Sequence, residues 1–306
     1  MHKDSILLID KPPGLSSAAV VARVKKYSGI KKVGHAGTLD PFATGLLVVC
    51  LGKATRISRY FLGGNKSYEA TLRLGTATET QDPEGAITAT LPVPEVDEKK
   101  LLKVCEKFSG PILQSPPVYS ALKHNGVPLY RLARQGKAVQ KPPRQVVIHR
   151  LQPESIQLPD IRFSVHCSSG TYIRTLALDM AEALGSTGHL VALKRTETCG
   201  FSLAQAASLD DTLNSLQTSQ PMPSLIPMAE ALGFLPEIRV NNTLTEKIFH
   251  GKVLDTEEIS APVPGPIRVL TEDGRLAAVI RRDESRQGLF SYDAVLLPRT
   301  APGGQL

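Results

Sequence analysis

The sequence predicts an α+β protein built on a mixed, mostly antiparallel sheet flanked by helices, with a small β-rich domain after it. Three observations carry this. Segments with two-residue alternation outnumber those with helical spacing, and regular helices do not separate them as a βαβ repeat would require. Tight-turn signals recur, at D-P-E-G (82–85), H-N-G (124–126) and E-D-G (272–274). Composition then shifts at "NSLQTSQPMPS" (214–224), which reads as a polar linker. A chain of 306 residues is long enough for one large domain and one small one. The expected division is 1–220 and 225–306.

Taken in order, "SILLID" is a strand that "KPPG" ends. Ser16 or Ser17 caps a helix whose apolar positions Val20, Val24 and Tyr27 recur at helical spacing, and Gly29 stops it. "LLVVCLG" (46–52) is a short buried strand. "SYEATLRLG" alternates, with Tyr68, Ala70, Leu72 and Leu74 on one face. Leu101, Val104, Cys105 and Phe108 form a helix stripe that Gly110 ends. After the H-N-G turn, a short basic helix turns Leu129, Leu132 and Ala133 inward and Arg131 and Arg134 outward. "RFSVHCSSG" alternates again, and "GTYIR" opens a helix with Ile173, Leu176, Ala177, Met180, Ala181 and Leu184 on its apolar face. Beyond the linker, "GPIRVLTEDGRLAAVI" is a hairpin and "LFSYDAVLL" a further strand.

No apolar run approaches the roughly 18 to 20 residues that span a bilayer, and "MHKDSILLID" has too short an apolar run for a signal peptide. Cys50, Cys105, Cys167 and Cys199 lie far apart, which argues against a zinc site or a disulfide framework. A cytoplasmic protein with reduced thiols is the expectation. Phosphate-binding loops, a nucleophile elbow and metal-spaced histidines are missing, so neither cofactor nor metal is expected.

The net charge of +7 is unevenly spread. Residues 107–153 contain no acid, yet hold Lys107, Lys123, Arg131, Arg134, Lys137, Lys141, Arg144 and Arg150, so the rest of the chain is close to neutral. A second acid-free stretch, 41–68, holds Lys53, Arg56, Arg59 and Lys66. Segregated positive charge suits a polyanion, nucleic acid first, although a solvated basic face is the commoner use of a charge run.

"VGHAGTLDPFATGLL" (33–47) is a polar, Gly-rich loop holding a single acid, Asp40, and a single histidine, His35. Pro41 pushes Asp40 towards an extended conformation, so its side chain leaves the loop at a set angle. Taken alone it reads first as a turn or capping aspartate, and His35 as an ordinary loop histidine. Gly34, Gly37 and Gly45 permit close approach by a ligand, or simply turns. Tyr172 and Arg174 fall where a strand gives way to a helix. An arginine there opposes the helix macrodipole, which suggests a specific anionic partner. Tyr68, on the apolar face of its strand, reads alone as core.

"LLIDKPPGLSS", "GHAGTLDPFATGLL", "KSYEATLRLGTATETQD", "YSALK" and "CSSGTYIRTLALDM" occur in this order. Over residues 6 to 200 the chain resembles the bacterial tRNA pseudouridine-55 synthases, the TruB family. The resemblance implies the pseudouridine synthase fold with a PUA-like C-terminal domain, and 107–153 as an insertion that grips RNA. It implies isomerisation of uridine 55 in the T-stem-loop of tRNA, by base flipping and without a cofactor, by a monomer. Asp40 matches the catalytic aspartate, which would attack C1′, add to C6 of the ring or take a proton from C2′. Tyr68 matches the active-site tyrosine, stacking on the base and helping remove the C5 proton. Tyr172 and Leu193 match uridine-contacting positions, and Arg174 the arginine that holds the aspartate ionised. His35 matches a histidine that packs into the RNA loop, and Asp82 a family acid without a clear role. Arg131, Arg134, Lys137 and Lys141 are the expected backbone contacts, with Lys53, Arg56 and Arg59 as the other candidates for gripping RNA. Lys194 stands where an arginine is common. The competing expectations are the catalytic subunit of an RNA-guided pseudouridine synthase, and a tRNA-binding folding chaperone.

Overall fold

The computed structural model describes residues 3–218, 220–259 and 264–297. An 11-stranded sheet dominates it. Its main path runs Ala207–Ser208, Ser5–Lys11, Thr44–Leu51, Gly188–Thr198, Lys66–Leu74, Asp160–Cys167, Arg144–Gln157, Gly110–Gln114. Along this path only two neighbour pairs are parallel, Ser5–Lys11 with Ala207–Ser208 and Thr44–Leu51 with Gly188–Thr198. The expected mixed, mostly antiparallel sheet is therefore present. No helix among the described residues is long and apolar enough to cross a membrane.

Helices cover the sheet where the periodicity placed them. Ser16 caps Ser17–Ser28 by accepting from the Ala19 amide, and Gly29 ends that helix at φ 67°, a left-handed conformation that glycine adopts without steric cost. Its Val20 and Val24 pack with Ile9, Leu47 and Val49 of the sheet. Glu98–Lys107 and Ile173–Ala183 bury Leu101, Cys105, Leu176 and Met180 against Leu72, Phe163 and Ile161. The H-N-G turn joins Lys123–His124 to Val127–Pro128, with Asn125 and Gly126 both at positive φ.

The segment 214–224 differs from its reading as a linker. The helix Leu209–Thr218 runs into it and buries Leu213 and Leu216, because its leucines recur at helical spacing beneath the polar composition. The strand Leu225–Pro227 then pairs with Ser5–Lys11 in the first sheet. The second sheet starts only at Glu237–Val240 and continues through Ile267–Thr271, Leu276–Arg282, Leu289–Val295 and Leu254–Asp255. This small PUA-like sheet has its own core around Ile248, Val269, Ile280 and Phe290. Leu270, Leu276, Val279 and Leu296 pack instead with Ile57, Phe61 and Phe201 of the large domain.

That contact overturns one expectation about charge. Lys53 donates to the Leu296 and Leu297 carbonyls at 3.1 and 2.6 Å, Arg56 donates to the Val295 carbonyl, and Arg59 lies 2.8 Å from Asp293. These cations of the second acid-free stretch hold the C-terminal sheet in place, so they are not a free polyanion-binding surface.

Candidate active site

The loop that carries Asp40 is tied down by two residues of the first motif. Ser17, almost fully buried, accepts from the Leu39 amide at 2.9 Å and donates to the Leu39 carbonyl at 3.1 Å. Lys11 has no solvent exposure and gives its ammonium hydrogens to the carbonyls of Pro12, Leu15 and Pro41, at 2.8, 2.7 and 3.2 Å. Burial lowers its pKa to about 8, against the opposing pull of Asp40. The other side of the loop rests on Arg195, which is 1% exposed and donates to the carbonyls of Leu46, Thr38 and Gly37. Gly45 is required for a related reason: at φ +97° a Cβ there would sit 2.3 Å from the Arg195 carbonyl oxygen. That glycine serves the close meeting of two strands rather than the approach of a ligand.

Asp40 opens onto a cleft of about 310 Å³ at the centre of the large sheet. Tyr68, Leu193, Tyr172 and Arg174 line it too, as the resemblance implied. Ser120, Ala121, Leu122 and Arg144 of the 107–153 segment form another wall. Tyr68 and Arg195 are cross-strand partners, so both project from the same stretch of sheet. Burial raises the Tyr68 pKa, which keeps its hydroxyl neutral and makes it a poor base. The ring forms part of the cleft wall.

Arg174 is 3% exposed despite its charge. Its Nε is 2.9 Å from Asp40 Oδ2, an ionic contact whose angle falls short of a hydrogen bond, and its Nη2 lies 3.4 Å from Oδ1. The guanidinium also meets Asp82 Oδ2 at 3.4 Å, and donates to the carbonyls of Thr80 and of Tyr119, the latter at 2.8 Å. This accounts for an arginine that opens a helix: its partners are carboxylates and carbonyls. Asp82 is itself held by the Thr80 hydroxyl and the Glu84 amide.

One arginine thus serves two acids, and the electrostatic outcome differs from a simple ion pair. A third of the Asp40 side chain is exposed, and the residue lines the cleft. Burial raises its pKa, Arg174 lowers it and Asp82 raises it again, leaving a net upward displacement. Arg174 binds the carboxylate without pulling it below the ordinary range.

Other expected residues lie elsewhere. His35 sits on Val33–His35, paired with Thr44–Leu51, and does not line the cleft. Burial and then Arg195 lower its pKa, so it is neutral. Arg131, Arg134 and Lys137 are exposed, while Lys141 contacts His124 Nδ1 at 3.1 Å. Arg131 and Arg134 flank the Tyr130 ring at 6.0 and 5.9 Å. Arg134 also acts electrostatically on Glu84, so the segment faces an acid after all, one supplied from the turn at 82–85.

Sequence reasoning passed over Lys11, Ser17, Gln114, Arg144 and Arg195. Arg195 had a readable signal, since it shares strand parity with inward-facing Leu193 while Lys194 points out. Gln114 had none, because its partner is 58 residues away.

Comparison with known proteins bears on the fold and the family. A chain of a solved Cbf5–Nop10–Gar1 complex matches with a TM-score of 0.76, at 26% identity, over 97% of this chain and 86% of that one. The fold is that of the pseudouridine synthases. The family model described as the N-terminal domain of TruB family pseudouridylate synthases matches residues 25–173. A protein of Syntrophotalea carbinolica named tRNA pseudouridine synthase B is 46% identical over 78% of this chain and 77% of its own length. A protein of the same name from Burkholderia pseudomallei is 42% identical over 92% and 94%. The chain belongs to the TruB family.

Proposed function

We propose that the protein converts a uridine of tRNA, position 55 in the T-stem-loop, to pseudouridine, with Asp40 as the nucleophile. The observation that carries this is one ionisable acid, paired to Arg174, on a cleft walled by Tyr68, Leu193 and Tyr172. The names of the relatives support tRNA as the substrate.

The reaction is an isomerisation. The N1–C1′ bond breaks, the uracil turns, C5 bonds to C1′, C5 loses its proton and N1 gains one. Atoms and electrons balance without an oxidant, a phosphate or another co-reactant, which fits a cofactor-free site. Attack of the Asp40 carboxylate on C1′ parallels the nucleophile of a retaining glycosidase, and displacement by C5 regenerates it. Addition to C6 and proton abstraction at C2′ start from the same carboxylate. A uridine buried in folded RNA must leave its stack to reach the cleft, at a cost of a few kcal/mol. Stacking on Tyr68 and Tyr172, worth roughly 1–3 kcal/mol per base, offsets that cost. The segment 107–153 supplies the RNA grip within the larger domain, and the second sheet, from Glu237 onward, forms the smaller PUA-like unit.

The test is purified protein, alone, with an unmodified tRNA transcript carrying tritium at uridine C5. Loss of the C5 proton releases tritium, and one equivalent per tRNA is expected without guide RNA or added metal. A transcript with cytidine at position 55 is expected to release none. Release that needs a guide RNA would favour the RNA-guided reading, and binding without release a folding chaperone.

A further inference from the structure

The stretch Gly170–Arg174 presents Tyr172 and Arg174 to the cleft, but it lies in a loop and the first turn of a helix. Such a segment has little rigidity of its own. Three residues of the 107–153 segment brace it. Tyr119 accepts from Arg174 through its carbonyl. Arg144 donates to the Gly170 carbonyl, and its guanidinium lies 5.1 Å from the centre of the Tyr172 ring. Gln114, 1% exposed, makes the tightest brace: its Oε1 accepts from the Tyr172 amide at 2.7 Å and its Nε2 donates to the Tyr172 carbonyl at 3.0 Å. Gln114 and Arg144 face each other across neighbouring strands, so a single cross-strand pair holds both the backbone and the ring of Tyr172.

We infer that Gln114 is a positioning residue for the reaction. Its carboxamide sets the Tyr172 backbone, and with it the angle at which the ring meets the flipped base. This rests on the reading of Tyr172 as a cleft residue given above. The carboxamide has the one pattern that fits: an acceptor for the amide and a donor for the carbonyl, on the same planar group. It also means that the segment expected to grip RNA supports the catalytic residues, so a disturbance there reaches the rate as well as the affinity.

The experiment compares Gln114→Leu, Gln114→Glu and Tyr172→Ala in single-turnover tritium release, with tRNA affinity and Tm measured beside it. Gln114→Leu keeps the bulk but leaves the Tyr172 amide unpaired and its carbonyl with the Leu176 amide alone. Its rate is expected to fall about tenfold or more while the tRNA Kd stays within about threefold. Combined with Tyr172→Ala it is expected to slow that variant by no more than about twofold, since the two act through one ring. Gln114→Glu gives the signature that packing alone would not. Ionised, the carboxylate repels the Tyr172 carbonyl. Protonated, its hydroxyl donates where the amide did. Burial raises the pKa of this carboxyl, and the facing Arg144 guanidinium opposes that rise. The activity of Gln114→Glu, taken as a ratio to wild type at each pH, is therefore expected to rise as pH falls.

A Gln114→Leu rate within about twofold of wild type, or a ratio for Gln114→Glu that is flat with pH, overturns the inference. If Gln114→Leu does not fold, the pH dependence of Gln114→Glu decides alone. A normal rate in Tyr172→Ala would remove the assigned role of Tyr172 and this inference with it. A slow Tyr172→Ala beside normal Gln114 variants removes the inference only.

Discussion

Asp40 and Asp293 each lie at ion-pair distance from arginine, but the balance of charge around them is reversed. At Asp293 two arginines serve one acid: Arg59 at 2.8 Å and Arg281 at 2.5 Å, with the Tyr60 hydroxyl donating as well. Burial there raises the carboxyl pKa, and the bonds from Arg281 and Tyr60 more than reverse it, leaving it lowered. At Asp40 one arginine is divided between two acids, and the pKa stays raised. The first arrangement quenches a carboxylate and fastens the C-terminal sheet to the helix Arg59–Leu62. The second keeps a carboxylate underpaired and open to a cleft. An ion pair becomes structural or reactive according to how many partners share the charge.

The largest expected effect breaks the comparison at its reactive end. Asp40→Asn should abolish pseudouridine formation while tRNA affinity stays within about tenfold, because the carboxylate is not a phosphate contact; wild-type-like turnover in this variant would remove Asp40 as nucleophile. Arg174→Met comes next. Breaking one side of a buried pair leaves the partner charge uncompensated, and turnover should drop about a hundredfold or more. The pH profile carries the sign. An ionised Asp40 is lost as pH falls through its pKa, which lies above the ordinary carboxylate value. Arg174 lowers that pKa, so residual activity in Arg174→Met should fail at higher pH than in wild type. Asp82 raises it, so Asp82→Asn should move the acid limb the other way. Identical acid limbs in all three proteins would show that Asp40 does not report on its neighbours.

The structural end should respond in stability instead. A carboxyl with a lowered folded pKa contributes stability that is present above its unfolded value and lost as pH falls through the folded one. Asp293→Asn should therefore lower Tm at pH 7, and the gap to wild type should close under acid conditions, below about pH 4. Turnover per folded molecule should be unchanged, and a large loss of turnover would place Asp293 in the reaction. The smallest effect concerns the basic segment. Arg131→Ala with Arg134→Ala should flatten the plot of log affinity against log salt by roughly 0.7 to 0.9 per residue, equally for tRNAs of different sequence. An unchanged slope would make these arginines a solvated face. Lys53, Arg56 and Arg59 are engaged with the C-terminal sheet and offer no ready substitute.

The sequence by itself determined the elements and the chemistry. Period-two alternation marked the strands of Tyr68 and Phe163, and helical spacing marked the faces of Val20 and Leu176, because these patterns are local consequences of backbone geometry. The motif around Asp40 singled out the acid through its resemblance to the TruB family, since proline and glycines beside an acid equally mark a turn. It failed at 214–218, where polar composition concealed leucines at helical spacing. What only the tertiary structure decided was partnership. Nothing local shows that Arg174 is divided between Asp40 and Asp82, or that Gln114 reaches Tyr172, or that Ser17 and Lys11 hold the loop of Asp40. Nor does an acid-free run reveal whether its cations stay exposed, as at 131–137, or engage another sheet, as at 53–59. Charge is a property of a residue, but pairing depends on which strands the fold makes neighbours, and those lie tens to hundreds of residues apart in the chain.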